Sequence, residues 1–156
     1  ALSDAIDIDI SNVNINGLTV NNAKNDCLDL MMSKVNMQNS KLVNCGDKGI
    51  SVGENSKINI QNSSIKNSNI GLAAKDNSKV TGKNMIFKNN NTQIDSYYKN
   101  WQYGQKPSEV SIIDSNFSLD NIKSNIFKAS DDNSITLKNV LINGEINKNK
   151  NVTISN

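Results

Sequence analysis

Apolar residues recur at Ile6, Leu28, Ile50, Leu72 and Ile94, each 22 residues after the last. A second apolar residue follows two positions on, as in Ile6/Ile8, Leu28/Leu30 and Ile50/Val52. Alternation with period two over a short run predicts a strand with one buried face. A second pattern follows each of these runs. Val13, Val35, Ile58, Val80, Val110 and Ile135 are succeeded seven residues later by Val20, Leu42, Ile65, Phe87, Phe117 and Ile142. Ile15, Met37, Ile60, Ile112 and Leu137 fall two residues into the same segments, and Gly82 interrupts that column. Few windows carry apolar residues at three- and four-residue spacing, so helices are not expected.

The polar positions repeat as well. Gly17, Asn39, Asn62, Asn84, Asp114 and Asn139 stand four residues after the second-strand anchors, and Asn22, Asn44, Asn67 and Asn89 stand nine after. Asn tolerates the left-handed conformation that tight corners need, and stacked amides can bond one another along an axis. Three short strands and three corners in each repeat predict an all-β chain. Its expected architecture is a right-handed parallel β-helix, a solenoid of roughly six to seven turns. The rhythm stretches between Ile94 and Val110, which predicts a loop insertion at about 96–109 within one domain spanning 1–156. This loop holds Tyr97, Tyr98, Trp101 and Tyr103. They are expected either to cover rung edges or to form a platform on which sugar rings stack.

Composition changes this picture in three ways. Hydrophobic residues are 36% and aromatics 4%, thin for a globule but adequate where neighbouring turns complete each other's burial. The net charge of +2 is spread along the chain, and no basic run with interleaved aromatics points to nucleic acid. No apolar stretch is long enough to insert in a membrane as a helix. All 17 basic residues are Lys, and His is absent, so a catalyst would have to rely on Asp, Glu, Lys and Tyr. Cys27 and Cys45 are the only cysteines. Cys45 falls four residues short of the position stacked on Cys27, so both are expected as free, buried thiols. Two cysteines without His do not suggest zinc.

The segments "GDKGISVGENSKINIQNSSI" and "IGLAAKDNSKV", followed by "YYKNWQYG", resemble a known family over about residues 3–104. It is the right-handed β-helix repeat group that includes pectate lyases and carbohydrate-binding or sugar-hydrolase modules. Within it the chain is most similar to β-helix domains of large bacterial surface proteins, some found beside spore-coat-H-type kinase modules. The resemblance implies an exported, carbohydrate-associated scaffold, secreted or at the cell surface. It does not imply catalysis, because the enzymes of this fold that cut polygalacturonate use His and Arg.

Candidate chemistry sits on the first strand of each rung. Asp7 and Asp29 follow their anchors and are expected to stack outward, about 4.8 Å apart. Asp4 and Asp26 form a parallel column continued by Lys48, with Asp47 and Asp9 nearby. Stacked like charges are unfavourable unless offset. Ca²⁺ held by Asp4, Asp7, Asp26 and Asp29 would offset them, with Lys48 as a base, or lysines would simply neutralise a solvated face. A second column joins Glu54, Asp76 and Tyr98, where paired carboxylates could serve acid–base work on a glycosidic bond or merely hold a corner. The expected function is a non-catalytic scaffold that binds a polysaccharide or surface protein. The alternatives are a polysaccharide lyase, epimerase or hydrolase working on the first-strand face, and a self-assembling structural element. Neither end shows a recognisable cap, so the chain is expected to belong to a larger protein or to associate end to end.

Overall fold

The computed structural model describes residues 3–103, 106–120, 126–143 and 150–156, with Tyr103 described by its backbone alone. Among the described residues, nineteen short strands are arranged in three parallel sheets. Sheet A stacks Asp7–Asp9, Leu28–Met31, Lys48–Val52, Ile70–Lys75, Thr92–Tyr97 and Phe127–Ala129. Sheet B has seven strands, from Asn12–Asn16 to Val152–Ser155, and sheet C has six, from Thr19–Asn21 to Leu141–Asn143. The chain is thus a parallel β-solenoid of about 6 turns with roughly 22-residue spacing, as the periodicity predicts.

The register follows the two apolar columns. Leu28 pairs with Ile50, Ile50 with Leu72, and Leu72 with Ile94. Beyond the insertion, Phe127 takes the next place against Ile94. Val13, Val35, Ile58, Val80, Val110 and Ile135 run likewise through sheet B. Nearly all of these side chains are buried, while Ile6, Ile8, Val13 and Ile15 of the first rung are only partly covered. The break at Gly82 is filled from its neighbours: a Cβ there would meet Ile112 Cδ1 at 2.5 Å and Met85 Cγ at 3.3 Å. Phe87 stacks on Phe117, and Phe117 meets Phe127 edge-on.

The corners explain the abundance of Asn. Among the described non-glycine residues with positive φ, all but Ile10 and Met32 are Asn or Asp. Their short polar side chains tolerate the left-handed region, and their amides form ladders. Asn84 Nδ2 donates to Asn62 Oδ1 at 3.0 Å, and Asn67 Nδ2 to Asn44 Oδ1 at 3.1 Å. Buried serines line the inside of the same corners. Ser11 N–H donates to Ser33 Oγ at 3.0 Å, Ser33 N–H to Ser56 Oγ at 3.1 Å, and Ser40 N–H to Ser63 Oγ at 3.0 Å. Each hydroxyl satisfies a backbone donor that a turning strand leaves unpaired.

The cysteines correct the expectation of free thiols. Cys27 and Cys45 form a disulfide, with Cα atoms 5.4 Å apart. Column spacing misled because it measures stacking along the axis only. Cys45 stands at the corner where sheet C returns to sheet A, and Gly46 beside it bonds Ala23 O of the rung below. That corner folds back tightly, so residues four places apart around it face each other across the interior. The bond therefore joins the start and the end of one rung.

The insertion runs from Tyr98 to Ser108, because sheet A extends through Tyr97 and sheet B resumes at Glu109. It contains a short 3₁₀ turn at Trp101–Tyr103.

Candidate functional site

Three polar columns run along sheet A, one at the corner leading into the strands and two on the outward positions that strand alternation gives. The first begins Asp4, Asp26, Lys48, and its carboxylates are consumed by structure. Asp4 Oδ1 accepts from Asp26 N–H at 2.9 Å and Asn25 Nδ2 at 2.7 Å. Asp26 Oδ1 accepts from Lys48 N–H at 2.9 Å and lies 3.5 Å from Lys48 Nζ. Lys48 also bonds the Asp47 carboxylate. Burial would pull the Lys48 ammonium down, but its bond to Asp47 and the charges of Asp26 and Asp47 hold it above its ordinary value. Burial would raise Asp47, but its bond to Lys48, the Lys48 charge, the Asn69 amide and the Lys75 charge together lower it. Asp26 is raised by burial, with Lys48 opposing and Asp4 and Asp29 adding to the rise.

The middle column runs Asp7, Asp29, Ser51, Ala73, Asp95 and Lys128. Asp7 and Asp29 pair in register, as expected. Asp7 is raised by slight burial and by the charges of Asp9, Asp29 and Asp4. Ser51 should be a surface residue, yet it is 0% exposed, and its Oγ has no hydrogen-bond partner. Asp29 Oδ1 is likewise buried and without one.

The third column explains the shielding. Gly53 leaves the backbone bare, and Lys75 lies across it, with Cε and Nζ each 3.7 Å from where a Cβ would stand. Its ammonium reaches 4.0 Å from Asp29 Oδ1, and Lys75 is only 3% exposed. Burial lowers its affinity for the proton, and Asp29 restores part of it. Tyr97, half-buried, leans the other way, close enough for the charges of Lys48, Asp95, Asp47 and Asp26 to act on its phenol. Burial raises that phenol and also raises Asp95. The outer face of sheet A thus carries a built-up polar cluster, whereas sheet B shows the plain exposed-and-buried alternation in strands such as Lys34–Gln38 and Lys57–Gln61. Two shallow hollows lie on sheet B, around Asn36 and Asn59, and a third lies beside sheet C near Ser64. None of these includes the cluster.

The other expected residues are placed apart. Asp76 is buried, and its carboxylate accepts from Lys99 N–H at 2.9 Å and from Asn100 N–H at 3.1 Å, so it anchors the inserted loop. Both its oxygens are engaged, and Glu54 stands without it as an acid–base partner. Tyr98 O–H donates to Asp132 Oδ1, tying the loop to the following rung, and its phenol is pushed up to about 12. Trp101 is 77% exposed on the 3₁₀ turn, while Tyr97 belongs to sheet A. The side chain of Tyr103 lies outside the described residues. Among the described residues, no three acidic or cysteine side chains form a group that could hold a metal ion. No helix among them is long and apolar enough to cross a membrane.

Sequence reasoning overlooked Ser51, Asp95 and Lys75. The signal was present: extending the Asp7/Asp29 column by 22 residues reaches Ser51, then Ala73 and Asp95.

Fold and face together define an all-β parallel solenoid, stapled by a disulfide, with an acid-rich polar cluster on one outer sheet. Comparison with protein-family models, curated proteins and solved structures returns no match for the chain.

Proposed function

We propose that this chain is an exported, non-catalytic scaffold whose outer sheet A face binds a glycan, in keeping with the β-helix group it resembles. One observation carries the reading: Ser51 Oγ and Asp29 Oδ1 sit on an outer face, shielded and without hydrogen-bond partners, Asp29 Oδ1 having only the Lys75 ammonium 4.0 Å away. Buried polar atoms are normally hydrogen-bonded, and orphans call for an explanation. The Lys75 ammonium stands by Asp29, and the Tyr97 phenol is on the same sheet, near Lys48 and Asp26. A sugar hydroxyl that displaces the Lys75 side chain can donate to Asp29 and accept from Ser51, while its ring face rests on Tyr97. The disulfide supports export, since such bonds persist in oxidising compartments.

The enzymatic alternative draws on one feature, the lowered proton affinity of Lys75. A buried lysine of this kind can act as a base. A glycan array followed by calorimetry tests the proposal. Binding that weakens in S51A and Y97A, with no product released from the bound polymer, supports the scaffold. Turnover that disappears in K75M supports the enzyme. An array without any hit removes the glycan reading.

A further inference from the structure

Charge is spread along the sequence, but the period sorts it by face. Every acidic residue before the insertion, from Asp4 to Asp76, lies on sheet A or at a corner beside it. Over the same rungs the strands of sheets B and C carry lysines and no acid. Lys79, Lys83 and Lys88 of the fourth rung are matched by Glu109, Asp114 and Asp120 of the fifth. Lys34, Lys41, Lys57 and Lys66 of the second and third rungs meet no carboxylate among the described residues. Lys34, Lys57 and Lys79 stand in register, one above another. Stacked like charges cost stability, and the fourth rung shows that a carboxylate one rung away offsets the cost. Solubility alone is served as well by mixed signs.

A second observation falls on the same flank. The hollow around Asn59 is lined by Lys34, Lys57 and Lys79 together with Asn36 and Thr81. Lys41 and Lys66 line the hollow beside sheet C, and no acidic side chain lines either. We propose that the flank formed by sheets B and C over the second to fourth rungs binds a linear polysaccharide bearing sulfate or phosphate esters. Its esters take the ammonium groups, and its hydroxyls take the side-chain amides between them. Several ammonium groups in one column suit an ester with three terminal oxygens. The chain has no Arg, and so lacks the planar fork that matches a carboxylate. The strands of this flank over these rungs hold one aromatic ring, that of Phe87, and it is buried, so the bases of a single-stranded nucleic acid have nothing to stack on. This surface is separate from the sheet A face and does not depend on the reading given to it.

The test is calorimetric titration of the chain with dextran sulfate, neutral dextran, polygalacturonate and duplex DNA. Dextran sulfate should bind at least about tenfold more tightly than polygalacturonate and should weaken as salt rises, while neutral dextran should not bind. K34Q/K57Q should lose about tenfold in affinity for dextran sulfate, given two exposed charge pairs. K24Q/K99Q removes the same charge from the corner leading into sheet A and from the insertion, and should lose no more than about twofold. All four lysines are exposed, so neither variant threatens the fold, and K34Q/K57Q also relieves a like-charge contact. Equal losses in the two variants would reduce the effect to net charge and overturn the site. Dextran sulfate binding that is absent at low salt, or unchanged in K34Q/K57Q, also overturns it. Tighter binding of polygalacturonate or duplex DNA, with the same dependence on Lys34 and Lys57, overturns the choice of polymer. S51A should leave dextran sulfate binding untouched, so the sheet A reading stands or falls separately.

Discussion

Lys75 lies along the outside of sheet A with its ammonium 4.0 Å from Asp29 Oδ1, two rungs below it, across the bare backbone of Gly53. The contact sits where an ordinary solenoid face would be open to water. Because burial dominates, the folded state holds the Lys75 proton less tightly than the unfolded chain does. Between the lowered folded value and the ordinary lysine value, the unfolded chain binds the extra proton. Stability therefore rises with pH through that window, and the cost of burying the charge is fully present below it. Urea denaturation of the wild type and K75M at about pH 7 and about pH 10 should show the difference shifting in favour of the wild type at the higher pH. A constant difference would mean that Lys75 is not desolvated as described.

The disulfide gives a second expectation. Closing a loop of sequence separation 18 removes unfolded-state freedom worth about 3 kcal/mol. C27S/C45S should lose about that much in chemical denaturation. The unreduced, denatured wild type should take up no thiol-alkylating reagent, and labelling at either cysteine would show that the bond does not form.

Close backbone approach supplies a third. A Cβ at Gly49 would stand 2.2 Å from Ile65 Cγ2 and 2.5 Å from Gly71 O, and the second of these is backbone that cannot move aside. G49A should destabilise by about 1–3 kcal/mol or more, as overpacking does. A melting temperature equal to wild type would show that the rungs are spaced more loosely than described.

Ile10 supplies a prediction of opposite sign. It is 74% exposed and has φ 48°, a conformation that a β-branched residue adopts at a cost. Two rungs along the same corner, Asn55 holds that conformation without such strain. I10N should stabilise by about 1 kcal/mol, read as a higher denaturation midpoint with unchanged slope. A lower midpoint would mean that Ile10 packs against something in the folded chain.

The rungs were legible because each apolar position makes the same contact in every turn, so the signal repeats. Leu28, Ile50 and Leu72 announce one another, and so do the corner residues Asn62 and Asn84. The cluster on sheet A was legible only in part. Asp7 over Asp29 followed from spacing, but the burial of Ser51 depends on where two long side chains lie down, and Lys75 and Tyr97 each occur once. The disulfide was misjudged for a related reason, since the link from Cys27 to Cys45 runs around a corner and not along a column. Contacts that break a repeat leave no trace in its period.

The cysteine bond also changes how this molecule would answer a pull. A solenoid held only by hydrogen bonds and packing can be unwound from its end, turn by turn, like thread from a spool. Cys27 and Cys45 make the second turn a covalent ring. Tension arriving at Cys27 passes straight to Cys45, and the strands Leu28–Met31, Lys34–Gln38 and Lys41–Val43 between them carry none of it. Unravelling from the N-terminal side would have to skip that ring and begin again at the third turn. The bond thus acts as a mechanical stop beside the face proposed to hold ligand.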